Sequence, residues 1–239
     1  MKPEAVLGYG SSRSQFVELW PVPPRSRGLA VLLHGGFWRA RHGLDQMDPL
    51  CADLTERGWS VANVEYRRTD GDAGGWPGTL TDVLEAIDSV RQHRDPGGPV
   101  VAIGHSAGGH LALLAAASAA VDLTVALAPV TDLPRSAEEG LGEGAAPLFM
   151  GTTPEADPGS YRAASPRFRL PLGKPHLVVH GDADERVPVD HSRDYVAAAR
   201  HAGDAVDYLE LPDVGHFELI DPSHHSWIEA RSWLANAVR

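Results

Sequence analysis

Cysteine is nearly absent from this 239-residue chain: Cys51 is the only one. No internal disulfide can form, so packing alone has to hold the fold. Cys51 falls in a helical pattern, where a small buried apolar residue is the expected role rather than a nucleophile. Lysine is almost as scarce, Lys2 and Lys174 standing alone among 21 basic residues, and nothing about mechanism follows from that. A basic stripe is missing too. The net charge is −11, which argues against nucleic acid as a partner and for an acidic protein kept apart by self-repulsion. No apolar run is long enough to span a membrane. The longest, 111–128, is broken by Ser118, Asp122 and Thr124 and reads as a buried helix followed by a buried strand. Met1-Lys2-Pro3-Glu4 lacks the apolar stretch of a signal peptide, so a cytoplasmic location is the expectation. Metal-ligand spacing is also lacking. His224 and His225 are adjacent with no H-x-x-x-H beside them, so together with His180 and Asp182 they do not read as a metal site.

What is present is a core and a rhythm. Hydrophobic residues make up 43% of the chain, enough to bury a sizeable interior. Gln15 to Trp20 alternates as a half-exposed edge strand does, and Leu29 to Leu33 is a continuous apolar run, as in a strand covered on both faces. Asp45 to Arg57 reads as a helix stopped by Gly58, and Ser60 to Glu65 as a strand. Thr79 to His93 carries Leu80, Val83, Leu84, Ile87 and Val90 at helical spacing. Strand 100–103, helix 107–120 and strand 123–128 follow, then strand 176–180, helix 189–201, strand 205–211 and a closing helix 227–238. This alternation implies one α/β domain over 1–239, with a mostly parallel central sheet and helices on both faces. Pro129 to Arg169 breaks the rhythm with six prolines and a Gly-rich stretch, and is expected to be a small lid-like or irregular insertion, or a plain surface loop.

Parallel sheets bind ligands beyond the carboxyl ends of their strands. Four segments of unusual chemistry lie there: 34–38, 104–108, 180–188 and 212–217. Gly104-His105-Ser106-Ala107-Gly108 is a G-x-S-x-G turn between a strand and a helix, a context that strains the serine backbone and exposes its hydroxyl. A serine needs a base, and a base needs an orienting carboxylate. His216, in Asp213-Val214-Gly215-His216-Phe217, is the candidate base. Asp184, in the loop 180–188, is the candidate acid, with Asp182 as its competitor. His34-Gly35-Gly36-Phe37-Trp38 supplies a Gly-rich loop whose amides can converge on one oxygen. Gly36 and Phe37, joined by Ala107, are the expected oxyanion donors, while His34 fastens the loop. Trp38, Trp76, Phe149 and Phe217 are candidates for an aromatic substrate pocket. Arg67-Arg68 reads as a solvated pair, or as a receiver for a substrate carboxylate.

With the order Ser106, Asp184, His216, the chain resembles the α/β-hydrolase superfamily from Gln15 to its last helix. His34-Gly35-Gly36-Phe37-Trp38 and His105-Ser106-Ala107-Gly108-Gly109-His110 are similar to the kynurenine formamidase (arylformamidase) and small carboxylesterase branch. Phe37 stands where the neighbouring hormone-sensitive-lipase group has a third glycine. His180-Gly181-x-x-Asp184-x-x-Val187-Pro188 looks like the acid loop of the same families. The resemblance implies a serine hydrolase that works through an acyl-enzyme without metal or organic cofactor. Its substrate would be a small, aromatic ester or aryl-formamide, with N-formylkynurenine the specific expectation. A general short-chain carboxylesterase is the alternative, and a hydrolase-fold ligand-binding protein the non-catalytic one. A homodimer is among the assemblies the sequence allows.

Overall fold

A computed structural model describes residues 1–22, 25–93 and 97–238. Its centre is an eight-stranded sheet in the order β1-β2-β4-β3-β5-β6-β7-β8. The strands are β1 (Ala5–Gly8), β2 (Phe16–Leu19), β3 (Leu29–Leu33), β4 (Ser60–Val64), β5 (Val100–His105), β6 (Leu123–Leu127), β7 (His176–Gly181) and β8 (Val206–Leu211). β1 and β2 run antiparallel at one side, and all pairings from β4 to β8 are parallel. The central strands are fully covered: every residue of β3, β4, β5 and β6 is buried.

Among the described residues there are eight α-helices: α1 (Asp48–Glu56), α2 (Gly78–His93), α3 (Ala107–Ala117), α4 (Leu133–Glu138), α5 (Leu141–Met150), α6 (Pro158–Ala163), α7 (Asp190–His201) and α8 (His225–Ala237). Successive side chains of a strand point to opposite faces, so β3 feeds two cores. Leu29, Val31 and Leu33 join Val83 and Ile87 of α2, Leu111 of α3 and Tyr195 of α7. Ala30 and Leu32 join Leu50 and Leu54 of α1 with Trp227 and Leu234 of α8. Cys51 lies fully buried in the second core, and burial pushes its thiol pKa well up.

Register brings the loops together. Leu33 pairs with Gly104, His105 with Leu127, Leu127 with Val179, and Gly181 with Leu211. The segments beginning at His34, Ser106, Asp182 and Pro212 therefore leave the sheet along one edge. Glycine is required where α3 crosses back over β5. A Cβ on Gly104 would overlap the Gly108 carbonyl, and one on Gly108 would overlap the Leu33 carbonyl.

The structure departs from the sequence expectation in two places. The strand expected at the edge, β2, lies one position inside it. The true edge is β1, a four-residue strand that is mostly exposed and so carries no alternation to read. The insertion 129–169 is not irregular: it folds into α4, α5, α6 and a 3₁₀ turn at Pro166–Phe168. Three of its prolines lie in first turns, where a missing N–H costs nothing. Asp132 and Asp157 cap α4 and α6 by accepting from the amides of Arg135 and Ser160.

Candidate active site

Ser106 occupies the turn from β5 into α3 at φ 57°, ψ −118°. A side chain rarely adopts that left-handed region, and the strain persists here because both flanks are fixed. The Ser106 amide donates to Leu127 O at 2.8 Å, and the Ser106 carbonyl accepts from His110 N at 3.0 Å. Ser106, His216 and Phe217 line one cavity of about 460 Å³ together with Gly36 and Phe37.

His216 follows β8 on a turn and is nearly buried, 7% exposed. Its Nδ1–H donates to Asp184 Oδ2 at 2.6 Å. The other oxygen, Oδ1, accepts from the amides of Arg186 at 2.7 Å and Val187 at 2.9 Å. His180 Nε2 donates to Val187 O at 2.9 Å and lies 3.2 Å from Asp184 Oδ2, while its Nδ1 meets the Ser192 hydroxyl at 2.7 Å. Burial alone would raise the Asp184 pKa, but hydrogen bonds from His180 and His216 outweigh it and hold the carboxyl well below its ordinary value. The competitor Asp182 is exposed and only accepts from the Asp213 amide, at 2.7 Å.

The loop after β3 turns through three successive positive φ values: Gly36 at 107°, Phe37 at 53° and Trp38 at 56°. A Cβ on Gly36 would overlap the His42 ring, so glycine is needed at this bend. His34 fastens the loop, as expected. Its Nδ1 lies 2.7 Å from Gly35 O and its Nε2 2.9 Å from Glu65 Oε1. The ring stacks on Tyr66 at 4.4 Å, and Tyr66 OH donates to His34 O at 2.7 Å. Ala107, at the start of α3, is fully buried next to Ser106.

The aromatic candidates divide. Phe37 and Phe217 line the cavity, Phe217 being 55% exposed. Trp38 and Phe149 do not. Each is 1% exposed, stacked on the other at 4.4 Å, with His110 edge-on to both. Trp76 packs against the same core, and its amide donates to Phe149 O at 2.9 Å. Trp38 lies in the core while its neighbour Phe37 faces the cavity. Arg67 and Arg68 are a structural pair rather than a free one, Arg67 half-buried and Arg68 buried, each tied to a carboxylate. Arg67 holds the buried Asp82 at 2.6 Å, and Arg68 holds Glu65 at 3.2 Å.

The insertion supplies the facing wall through Glu139, Gly140, Leu141, Gly142 and Glu143. Arg39 clasps it to the loop after β3, donating to Gly142 O at 2.9 Å and Glu143 O at 3.0 Å. Sequence reading missed this clasp because it joins positions 103 and 104 apart. It also passed over His105 and Glu65. A histidine inside an apolar strand and a glutamate at a buried strand end were the available signals. Among the described residues no group of three or more His, Cys, Asp or Glu is gathered as a metal site, and no helix is long and apolar enough to cross a membrane.

A strained serine after the central strand of a mostly parallel sheet, with an Asp-His pair on the next loops, defines an α/β-hydrolase. The chain belongs to the BD-FAE family, whose model matches residues 22–198. It is 33% identical to Esterase LipQ of Mycobacterium tuberculosis over 88% of this chain and 56% of LipQ, so it spans little more than half of that relative. In fold it is similar to a truncated carbohydrate esterase from gut microbiota, with a TM-score of 0.82 at 17% identity over 100% of this chain and 98% of that one. It is also similar to Thermogutta terrifontis esterase 2 phosphoramylated by tabun, with a TM-score of 0.79 at 22% identity over 98% and 93% of the two chains.

Proposed function

We propose that this chain is a serine carboxylesterase acting on small esters. The observation that carries the reading is the 2.6 Å bond from His216 Nδ1 to a buried, ionised Asp184, in the cavity that also holds the strained Ser106. With its proton fixed at Nδ1, His216 offers Nε2 as the base. Ser106 Oγ attacks the ester carbonyl carbon as His216 takes the hydroxyl proton. The carbonyl π electrons move onto oxygen, which rests against the amides of Gly36, Phe37 and Ala107. The C–O bond to the alcohol then breaks, and the alcohol leaves with the proton from His216. Water, deprotonated by His216, attacks the acyl carbon; the bond from that carbon to Ser106 Oγ breaks, the carboxylic acid leaves, and His216 returns the proton to Oγ. Neither metal nor organic cofactor enters these steps.

A cavity of about 460 Å³ suits a small substrate, since ligand pockets commonly run to about 300–1,000 Å³. The relatives named above are esterases, which favours this reading over the aryl-formamidase one. The second reading keeps one support, the His34-Gly35-Gly36-Phe37-Trp38 form of the oxyanion loop. Steady-state turnover of p-nitrophenyl acetate and butyrate beside N-formyl-L-kynurenine, with Ser106→Ala as control, separates the two. Fast ester cleavage without formamide cleavage is the expected result. Preferential formamide turnover reverses it.

A further inference from the structure

His105, the last residue of β5, has no task in the acyl transfer described above, yet it is costly to keep. It is 1% exposed, and its Nδ1 is buried without a partner. An apolar ring of the same size would avoid that desolvation. The bond it does make goes to the base: Nε2–H donates to the carbonyl oxygen of His216 at 2.9 Å. The two rings lie tilted with centroids 4.4 Å apart. Burial, then the nearness of His216, bring the His105 pKa down to about 3. The ring is therefore neutral, and its one proton sits at Nε2. Neutrality matters here, since a second cation beside His216 would oppose the charge His216 acquires when it takes a proton.

His216 itself stands on a loop, where a side chain depends on outside ties for its aim. Asp184 fixes the ring from Nδ1, and His105 fixes the backbone that carries the ring. We propose that His105 is a positioning residue, whose Nε2–H holds the His216 carbonyl so that the His216 imidazole is aimed at Ser106. The inference rests on the Ser106–His216–Asp184 reading and goes beyond it, because it assigns a function to the residue between Gly104 and Ser106.

Two variants test it. His105→Phe fills the ring space without a donor, and His105→Gln keeps an N–H donor on a side chain of similar reach. With p-nitrophenyl acetate, His105→Phe is expected to lose about 10- to 100-fold in kcat with little change in KM, the scale of a base displaced by about 1 Å. His105→Gln recovers most of that loss. The low-field proton resonance of the His216 Nδ1–H keeps its position in His105→Gln and shifts or disappears in His105→Phe. A merely structural residue would lower Tm while leaving that resonance and the kcat of the folded fraction unchanged, and that result overturns the inference. Equal impairment of both variants overturns it too. Should His105→Phe not fold, His105→Met, which is apolar and smaller, serves with the same readouts. Ser106→Ala separates this failure from that of the parent reading. If Ser106→Ala is inactive and His105→Phe is unimpaired, only the role of His105 falls. If Ser106→Ala keeps turnover, the triad itself falls.

Discussion

Asp184→Asn asks whether the group behind His216 has to be a carboxylate. Oδ1 of Asp184 accepts from two backbone amides, at 2.7 Å and 2.9 Å. An asparagine has to leave its carbonyl oxygen there, which puts its NH₂ in the place of Oδ2. That place lies 2.6 Å from His216 Nδ1 and 3.2 Å from His180 Nε2, which is itself a donor. Two donors cannot share the contact with His216. The ring has to turn its lone pair to Nδ1 and carry its proton at Nε2, where it can no longer take one from Ser106. In the Ser-His-Asp template the same change costs about 10⁴ in kcat, or about 5 kcal/mol at 1.36 kcal/mol per decade. The assay is kcat for p-nitrophenyl butyrate, with Tm measured alongside. A loss smaller than about tenfold at unchanged Tm refutes the reasoning, because the wrong tautomer cannot support so much activity.

Other consequences can be measured independently. His110 is buried, and its pKa is lowered from 6.5 to about 4 by desolvation, partly offset by its bond to Ala164 O. Above pH 6.5 neither state binds the proton. As pH falls from 6.5 towards about 4 the unfolded chain takes a proton that the folded one refuses, so stability drops in that window. His110→Gln is expected to flatten Tm against pH there, and equal slopes in variant and parent contradict it. Asp184 acts lower down: its folded pKa is depressed, so its contribution is present above the ordinary value of 3.8 and is lost as pH falls below it. Asp184→Asn should therefore remove that part of the acid destabilisation seen in urea titrations. Gly142→Ala places a Cβ 2.5–2.7 Å from the Phe37 ring at φ 58°. Displacing Phe37 should lower kcat, up to the loss of one oxyanion donor at about 10²–10³. Unchanged kcat with the variant folded would show that Phe37 and its loop do not move together. Trp38→Ala should cost about 3–5 kcal/mol in urea unfolding and leave ester KM unaltered, since Trp38 lies outside the cavity. A raised KM at modest stability loss would return Trp38 to the substrate.

The parts of the fold that could be read in advance are those with an unambiguous local pattern. The buried strands β3 and β5 announce themselves as apolar runs, and β4, β6, β7 and β8 fall where strands were expected. The strand-to-helix turn at Ser106 needs small residues at 104 and 108 whatever the substrate. The sequence puts Asp184 ahead of Asp182 and leaves Asp182 as a competitor. Both lie in one loop, and which of them faces His216 depends on the turn closed by the amides of Arg186 and Val187. The aromatic pocket was the weakest inference for a related reason. Trp38 follows Phe37 directly, and only the backbone decides that one ring enters the core and the other the cavity. The insertion misled because proline and glycine punctuate loops and also begin and end short helices. The Arg39 clasp and the His105 bond to His216 are contacts between distant positions, which no periodicity encodes.

An acyl-enzyme mechanism requires Ser106 to be the nucleophile. The most direct test is covalent labelling with a fluorophosphonate, read by mass spectrometry of the intact chain and of its peptides, with ester turnover followed in parallel. One adduct per chain is expected, on Ser106, formed in step with the loss of turnover and absent from Ser106→Ala. An adduct on another residue, or ester turnover that persists in Ser106→Ala, would contradict it.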